Sequence, residues 1–520
     1  MCPARQPKIG YAIKLASNKK AACPQRSSSF FESPHGLEFL HRLLCALHLV
    51  VGQANDGGIR NICWLLELCQ LDRFIAVSYG AQQKVAASIE RSIEQFGQEE
   101  QARLAVQMPH REITLCEDET FHPQICLVAI EPVSNFLILE QYAAKRDAPT
   151  WNAAVDEALK PFSVTVIQCV SDQATALIAH TEIHLGVHHS PDLFHVQHET
   201  SRATSVPLHR QTEKAEKAFK DAEASHQENV KKLNDFNETW PCSLKQLELD
   251  KELKSHAPVL EEALSKAREE FETTQARQRR AREARCGIGQ DYHPIDLKSG
   301  APIEAFQAQV KLNAHFDTLD QVATEAGLRP SSFARIAKAK RVLPSMIATL
   351  VFFWTQLAIR AASLKYSQEV VQVWLKQLVA GYYLAEVAQR CSDSKERKRL
   401  VELSRTILEQ AKARDGPLSA LNEKDILYLE EQARLASELF QRSSSCVEGR
   451  NGQLSLRHHG LREITTRKLR VLGVLHNYVI KRSDGSTAAT RFFGQKHREL
   501  FPWLVEHMPL PTRPRRKARS

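Results

Sequence analysis

The chain lacks the cysteine pattern of a disulfide or zinc scaffold: its twelve cysteines lie singly along 520 residues, with no C-x-x-C pair. Scattered thiols suit a reducing compartment and exclude a stapled secreted domain. A continuous apolar leader is missing too, because the first residues mix lysine with serine, so no secretory signal is read. The longest apolar run, 342–359, is interrupted by Pro344, Ser345, Thr355 and Gln356. It reaches only the lower limit for crossing a bilayer, so a buried bundle helix is expected and no membrane partner. Acids are absent from both ends. Residues 1–30 carry Arg5, Lys8, Lys14, Lys19, Lys20 and Arg26, and within 509–520 stand Arg513, Arg515, Arg516, Lys517 and Arg519. The two ends read as a basic arm and a basic tail suited to phosphates.

What remains is ordinary globular material, 43% hydrophobic and 25% charged, with a net charge of +9. The length predicts two to four domains, and the charge favours an acidic polymer as partner. Residues 31–108 read as a helical N-terminal domain, with helices near 36–51, 58–69 and 80–105 and a helix-turn-helix spacing around 71–78. From Arg111 the period becomes extended. Runs at 111–120, 124–132 and 135–142 form a three-strand meander, followed by a helix at 148–159, a β-branched strand at 163–170, a helix at 175–185 and a strand at 192–197. The order β-β-β-α-β-α-β, with helical crossovers to the last two strands, is the ribonuclease H-like mixed α/β order over 109–202.

Residues 203–440 read as a large all-α insertion. It opens with a long helical hairpin over 211–286 in which Pro241 and Pro258 break the helices. A second helix-turn-helix spacing lies at 319–341, with Gly327 at the turn, Ser331 and Ser332 at the cap and Arg335, Lys338, Lys340 and Arg341 beyond. Residues 441–508 are unusually polar and are expected to close the α/β core.

Phosphodiester cleavage needs charge neutralisation at the attacking and leaving oxygens, which two carboxylate-held Mg²⁺ ions provide. Asp118 ends the first strand and Asp172 the fourth. In the order above those strands are parallel neighbours, so both acids emerge at the carboxyl edge where open α/β sheets form sites. Side chains alternate along a strand, so Glu117 and Glu119 face away when Asp118 faces the site. The histidines 184, 188, 189, 195 and 198 lack the paired spacing of a zinc site.

The segments Glu117-Asp118-Glu119-Thr120, Val170-Ser171-Asp172-Gln173, Pro191-Asp192-Leu193-Phe194-His195-Val196 and Cys446-Val447-Glu448-Gly449-Arg450-Asn451 resemble blocks of bacterial insertion-sequence DDE transposases. The branch resembled is the one whose helical insertion separates the second aspartate from the glutamate. The resemblance implies Asp118, Asp172 and Glu448 as catalytic metal ligands for two Mg²⁺ ions, with Mn²⁺ able to substitute, and Asp192 and His195 as groups supporting them. It further implies Arg450, Asn451, His458, His459, Arg462, Lys468, His476, Asn477 and Arg482 as contacts to DNA. The implied activity is metal-dependent cleavage at terminal inverted repeats and strand transfer into target DNA. The implied setting is a homodimer or larger assembly on paired ends, in the bacterial cytoplasm at the nucleoid. Two alternatives stay open: another ribonuclease H-fold nuclease such as a resolvase, and a catalytically inactive or domesticated DNA-binding relative.

Overall fold

The computed structural model describes residues 30–514, apart from 122, 239–243 and 462. The chain divides into two units, residues 1–99 with 498–520, and residues 100–497. The basic arm falls outside the described residues, as do the last six residues of the basic tail.

The first unit is helical. Helix α1 (Pro34–Leu47) starts where Ser33 Oγ accepts from Gly36 N at 3.2 Å, a serine cap with proline in the first turn. Helix α2 (Ile59–Leu68) and the first part of α3 (Tyr79–Gln107) follow. Leu40, Leu44, Ile62, Leu66, Leu71 and Ile75 form their common core. The helix Leu500–His507 closes the unit, with His41 Nε2 2.9 Å from the Val505 carbonyl. The expected helix-turn-helix exists as a turn: Gln70 adopts φ 55° and residues Leu71–Arg73 are 3-10 helical. The exposed side of α2 carries Trp64, Leu65 and Leu68 with Arg60 as its one cation among the described residues.

In the second unit, strands β1 (Arg111–Phe121), β2 (Ile125–Glu131), β3 (Phe136–Ala143), β4 (Val164–Ser171) and β5 (His188–Pro191) make one mixed sheet in the order β3-β2-β1-β4-β5. The meander β1–β3 is antiparallel, whereas β1, β4 and β5 run parallel, with Cys116 beside Val170 and Ser171 beside Pro191. The parallel joins need crossovers. Helix α4 (Ala148–Leu159), capped by Asp147, makes the first; α5 (Thr175–Ile178), continued by a π-helical turn over Ala179–Leu185, makes the second.

One strand expectation is corrected. The fifth strand lies at 188–191, and the expected strand at 192–197 is instead the start of a helix, α6 (Leu193–Glu238). Asp192 Oδ1 accepts from Phe194 N at 2.9 Å, an N-terminal cap that turns the chain. Leu193, Val196 and Ala203 then bury one helical face. The expected division at residue 203 thus falls inside a continuous helix.

Helix α7 (Leu244–Asp291) packs along α6, with Phe219 stacked on Phe271 at 5.8 Å. Pro258 sits inside α7 and Pro207 inside α6, so Pro258 does not break the hairpin as expected. A proline removes one backbone bond, and a packed helix this long retains the others. Helices α8 (Ala305–Glu325), α9 (Pro330–Lys340), α10 (Leu343–Ser363), α11 (Gln368–Val373), α12 (Val379–Arg390), α13 (Ser394–Ala411) and α14 (Glu423–Ser437) complete the insertion. Phe316, Met346, Phe353, Trp374, Leu384 and Phe440 centre its core. The apolar stretch lies in α10; the span Pro330–Ser363 is long and apolar enough to cross a membrane, yet α10 buries Leu343, Met346, Leu350, Phe353 and Leu357 against this core. In the second helix-turn-helix spacing, Gly327 takes φ +57°, but α9 starts at Pro330 after Arg329, not at the serines. Three of the four cations expected there are engaged internally: Arg335 and Lys338 pair with Glu199 at 2.7 and 2.9 Å, and Lys340 with Asp317 at 2.6 Å.

The chain then returns to the sheet. Helices α15 (Ser445–Leu461), α16 (Thr466–Tyr478) and α17 (Ala488–Phe493) follow, and Val447, Leu454, Leu469 and Leu472 pack on Cys116, Val128, Ile130 and Val170. This is the Asp118 face of β1; α4 and the π-helical turn cover the other, where Glu117 meets His180 and Glu119 accepts from Trp151 Nε1.

Candidate active site

Strand alternation places Asp118 on the face under α15. Its carboxylate accepts from Asn451 Nδ2 at 2.8 Å, and Asn451 stands one helical turn after Glu448. Asp172 follows β4, where Oδ1 accepts from Ala174 N at 2.9 Å and shapes the turn into α5. Glu448 lies in the first turn of α15 with its side chain 31% exposed. Burial, followed by the charges of Glu448 and Asp172, raises the Asp118 carboxyl to about 7. Burial also raises Glu448, with Asp192 and Asp172 adding to it and His195 opposing it. Asp118 and Glu448 thus both feel the charge of Asp172 near the carboxyl edge of β1 and β4.

His195, in the first turn of α6, sits among them. Its Nε2 lies 3.7 Å from Glu448 Oε1 and 3.9 Å from Asp192 Oδ2, and Asp192, His195 and Glu448 offer ligand atoms all within 4.8 Å of one another. Asp192 is nevertheless committed elsewhere. Its buried carboxylate accepts from Phe194 N, from Ser444 N at 3.2 Å and from Ser444 Oγ at 2.7 Å. That clamp ties the end of β5 to the residue preceding α15 and so orients Glu448. Ser444 is the partner of Asp192 that sequence reading missed.

Several expected DNA contacts have other occupations. Arg450 makes a two-pronged pair with Glu140 of β3 at 2.6 and 2.7 Å, both side chains 3% exposed. Asn477 donates to the Leu137 carbonyl at 3.0 Å and accepts from Leu137 N at 2.9 Å, completing the outer edge of β3 as a strand would. His476 is buried against the Asn135 carbonyl at 2.8 Å, and Arg482 donates to the Val133 carbonyl at 3.1 Å. Lys468 is buried, its backbone N–H capped by Thr465. Asn451 serves Asp118. These residues brace the sheet and the site. His458 and His459 lie in the last turn of α15, the first half-buried and the second exposed, while Arg462 falls outside the described residues. The other histidines disperse, His184 to Asp156, His188 to Thr349 and His189 to Ser171.

A family of unknown function, DUF6399, matches residues 374–520. That span contains Glu448 and Asn451 but neither aspartate. No curated protein matches the chain.

Proposed function

We propose that the protein is a DDE-type DNA transposase, a metal-dependent nuclease and strand transferase with a ribonuclease H-like core interrupted by the helical insertion. What supports this reading is placement: Asp118 stands on the β1 face under α15 and is bonded by Asn451 one turn after Glu448, and Asp172 directly follows the parallel neighbour β4. Like charges held together in a partly dry site mark functional groups more often than structural ones. The strand order and the return of α15 to the sheet after the long insertion speak for the same fold.

The donor set fits Mg²⁺: it is oxygen-rich and partly open, and among the described residues Asp118 has the Asn451 amide donor and no lysine or arginine ion pair. Two such ions would supply charge neutralisation at the attacking and leaving oxygens of a phosphodiester. The protein's part is positional. Asn451 fixes Asp118 by one oxygen, the Asp192–Ser444 clamp sets the first turn of α15, and His195 Nε2 lies 3.7 Å from Glu448 Oε1. The substrate would be the terminal repeats of an element and then target DNA, engaged by paired copies of the chain.

The test is cleavage of linear DNA carrying the sequences that flank the gene, in Mg²⁺, Mn²⁺ or EDTA. Metal-dependent nicking at the repeat boundary, abolished by Asp118→Ala, Asp172→Ala and Glu448→Ala, is the expected result. Binding to the ends without cutting would favour a non-catalytic DNA-binding relative. Retained cutting by Asp172→Ala, with loss in Asp192→Ala, would overturn the ligand set.

A further inference from the structure

A cavity lies within the helical insertion. It encloses about 320 Å³ between the end of α7, helices α12 and α13, and the segment leading to α15, a volume at the lower end of what ligand sites occupy. Arg442 lines it. The NH1 group of Arg442 donates to the carbonyls of Gly289 and Tyr292 at 2.6 and 3.0 Å, and among the described residues no carboxylate pairs with this guanidinium. A guanidinium held in a low-dielectric surrounding without a counter-charge is costly unless an anion meets it. The two acids of the lining already have cations: Glu386 has Arg390 at 3.9 Å and Glu396 has Arg399 at 2.9 Å.

His293 adds one further donor. Burial holds His293 well below its usual value and so keeps it neutral. Its Nδ1 lies 2.6 Å from Tyr383 Oη. With the tyrosine donating to Nδ1, the imidazole proton sits on Nε2. Phe440, Leu400 and Val387 supply apolar wall. A planar hydrocarbon body with one anionic group matches that combination.

We propose that this cavity binds a small organic anion, a carboxylate or a phosphomonoester on a planar apolar body, with Arg442 taking the charge. The site reaches the acidic cluster through the backbone. The Arg442 carbonyl accepts from Leu193 N at 2.9 Å, and two residues later Ser444 clamps Asp192 ahead of Glu448. An anion that immobilises Arg442 thereby steadies the entry to α15. The binding itself does not depend on the transposase reading.

The experiment titrates the full chain with 4-fluorobenzoate and 4-fluorophenyl phosphate, followed by fluorine NMR, with 4-fluorobenzyl alcohol as the neutral control. Saturable one-to-one binding of either anion, at least tenfold tighter than the alcohol, is expected, and which anion binds identifies the headgroup. Arg442→Met should weaken it tenfold or more. Because Arg442 also holds two carbonyls, Leu400→Trp, which fills the cavity from α13, provides an independent variant expected to abolish binding with the fold intact by circular dichroism. Hydrogen exchange at 443–448 should slow on binding in the wild type only. Failure of both anions to saturate at 10 mM, or unchanged binding in Leu400→Trp, overturns the proposal. Neither outcome bears on DNA cleavage, which is measured separately.

Discussion

Asp118→Asn offers the sharpest test of the acidic site, because its effect on stability should change sign with metal. Asp118 rises from its usual 3.8 to about 7 in the folded protein. Below pH about 4 the carboxyl is protonated in both folded and unfolded chains, and the shift contributes nothing. Between about 4 and 7 the unfolded chain releases its proton while the folded one keeps it, so the folded state loses ground with each unit of pH. Above 7 both are ionised and the penalty is constant. Three units at about 1.4 kcal/mol each give about 4 kcal/mol as an upper bound. Asp118 is partly open to solvent, and screening brings this to about 2 kcal/mol. The asparagine keeps an oxygen for Asn451 and removes the charge, so at pH 8 in EDTA the variant should melt about 3 °C above wild type. At pH 4 the two should coincide. Adding Mg²⁺ at a hundred times its Kd should stabilise wild type by about 2.7 kcal/mol and the variant far less. A pH series of thermal melts with and without Mg²⁺ reads all of this. A variant less stable than wild type at pH 8, or a difference independent of pH, would refute the argument.

Other consequences follow from the braces around the sheet. Arg450→Met should cost about 3–5 kcal/mol in urea denaturation by stranding buried Glu140, with most of it recovered in the Arg450→Met, Glu140→Leu double variant; an unchanged midpoint with weakened DNA binding would restore the DNA-contact role. Asn477→Ala leaves the Leu137 N–H and carbonyl without partners and should cost about 1–3 kcal/mol, with faster exchange of the Leu137 amide. Ser444→Ala removes one arm of the clamp on Asp192 and should lower metal affinity or cleavage by about tenfold while costing about 1 kcal/mol of stability. A loss of stability without any change at the metal site would make the clamp purely structural.

Much of this molecule was legible along the chain. The alternating and β-branched runs between 111 and 171 and the two crossover helices determine four strands and their pairing, since side-chain period and connection type are local properties. Alternation alone puts Asp118 on one face and Glu117 and Glu119 on the other, and the crossover rule brings Asp118 and Asp172 to one edge. The one-turn spacing of Glu448 and Asn451 was equally visible, although only the folded site reveals that the amide serves Asp118. Elsewhere tertiary structure decided. Whether 192–197 extends the sheet or opens a helix depended on Asp192 capping Phe194 N and reaching Ser444, more than two hundred residues away. Arg450, His476, Asn477 and Arg482 look like a nucleic-acid face in sequence, yet each is claimed by the sheet: Arg450 by Glu140, His476 by the turn before β3, Asn477 by the β3 edge and Arg482 by the Val133 carbonyl. A backbone period is written in neighbouring residues, but a polar side chain takes its role from whichever distant group the fold brings within 3 Å.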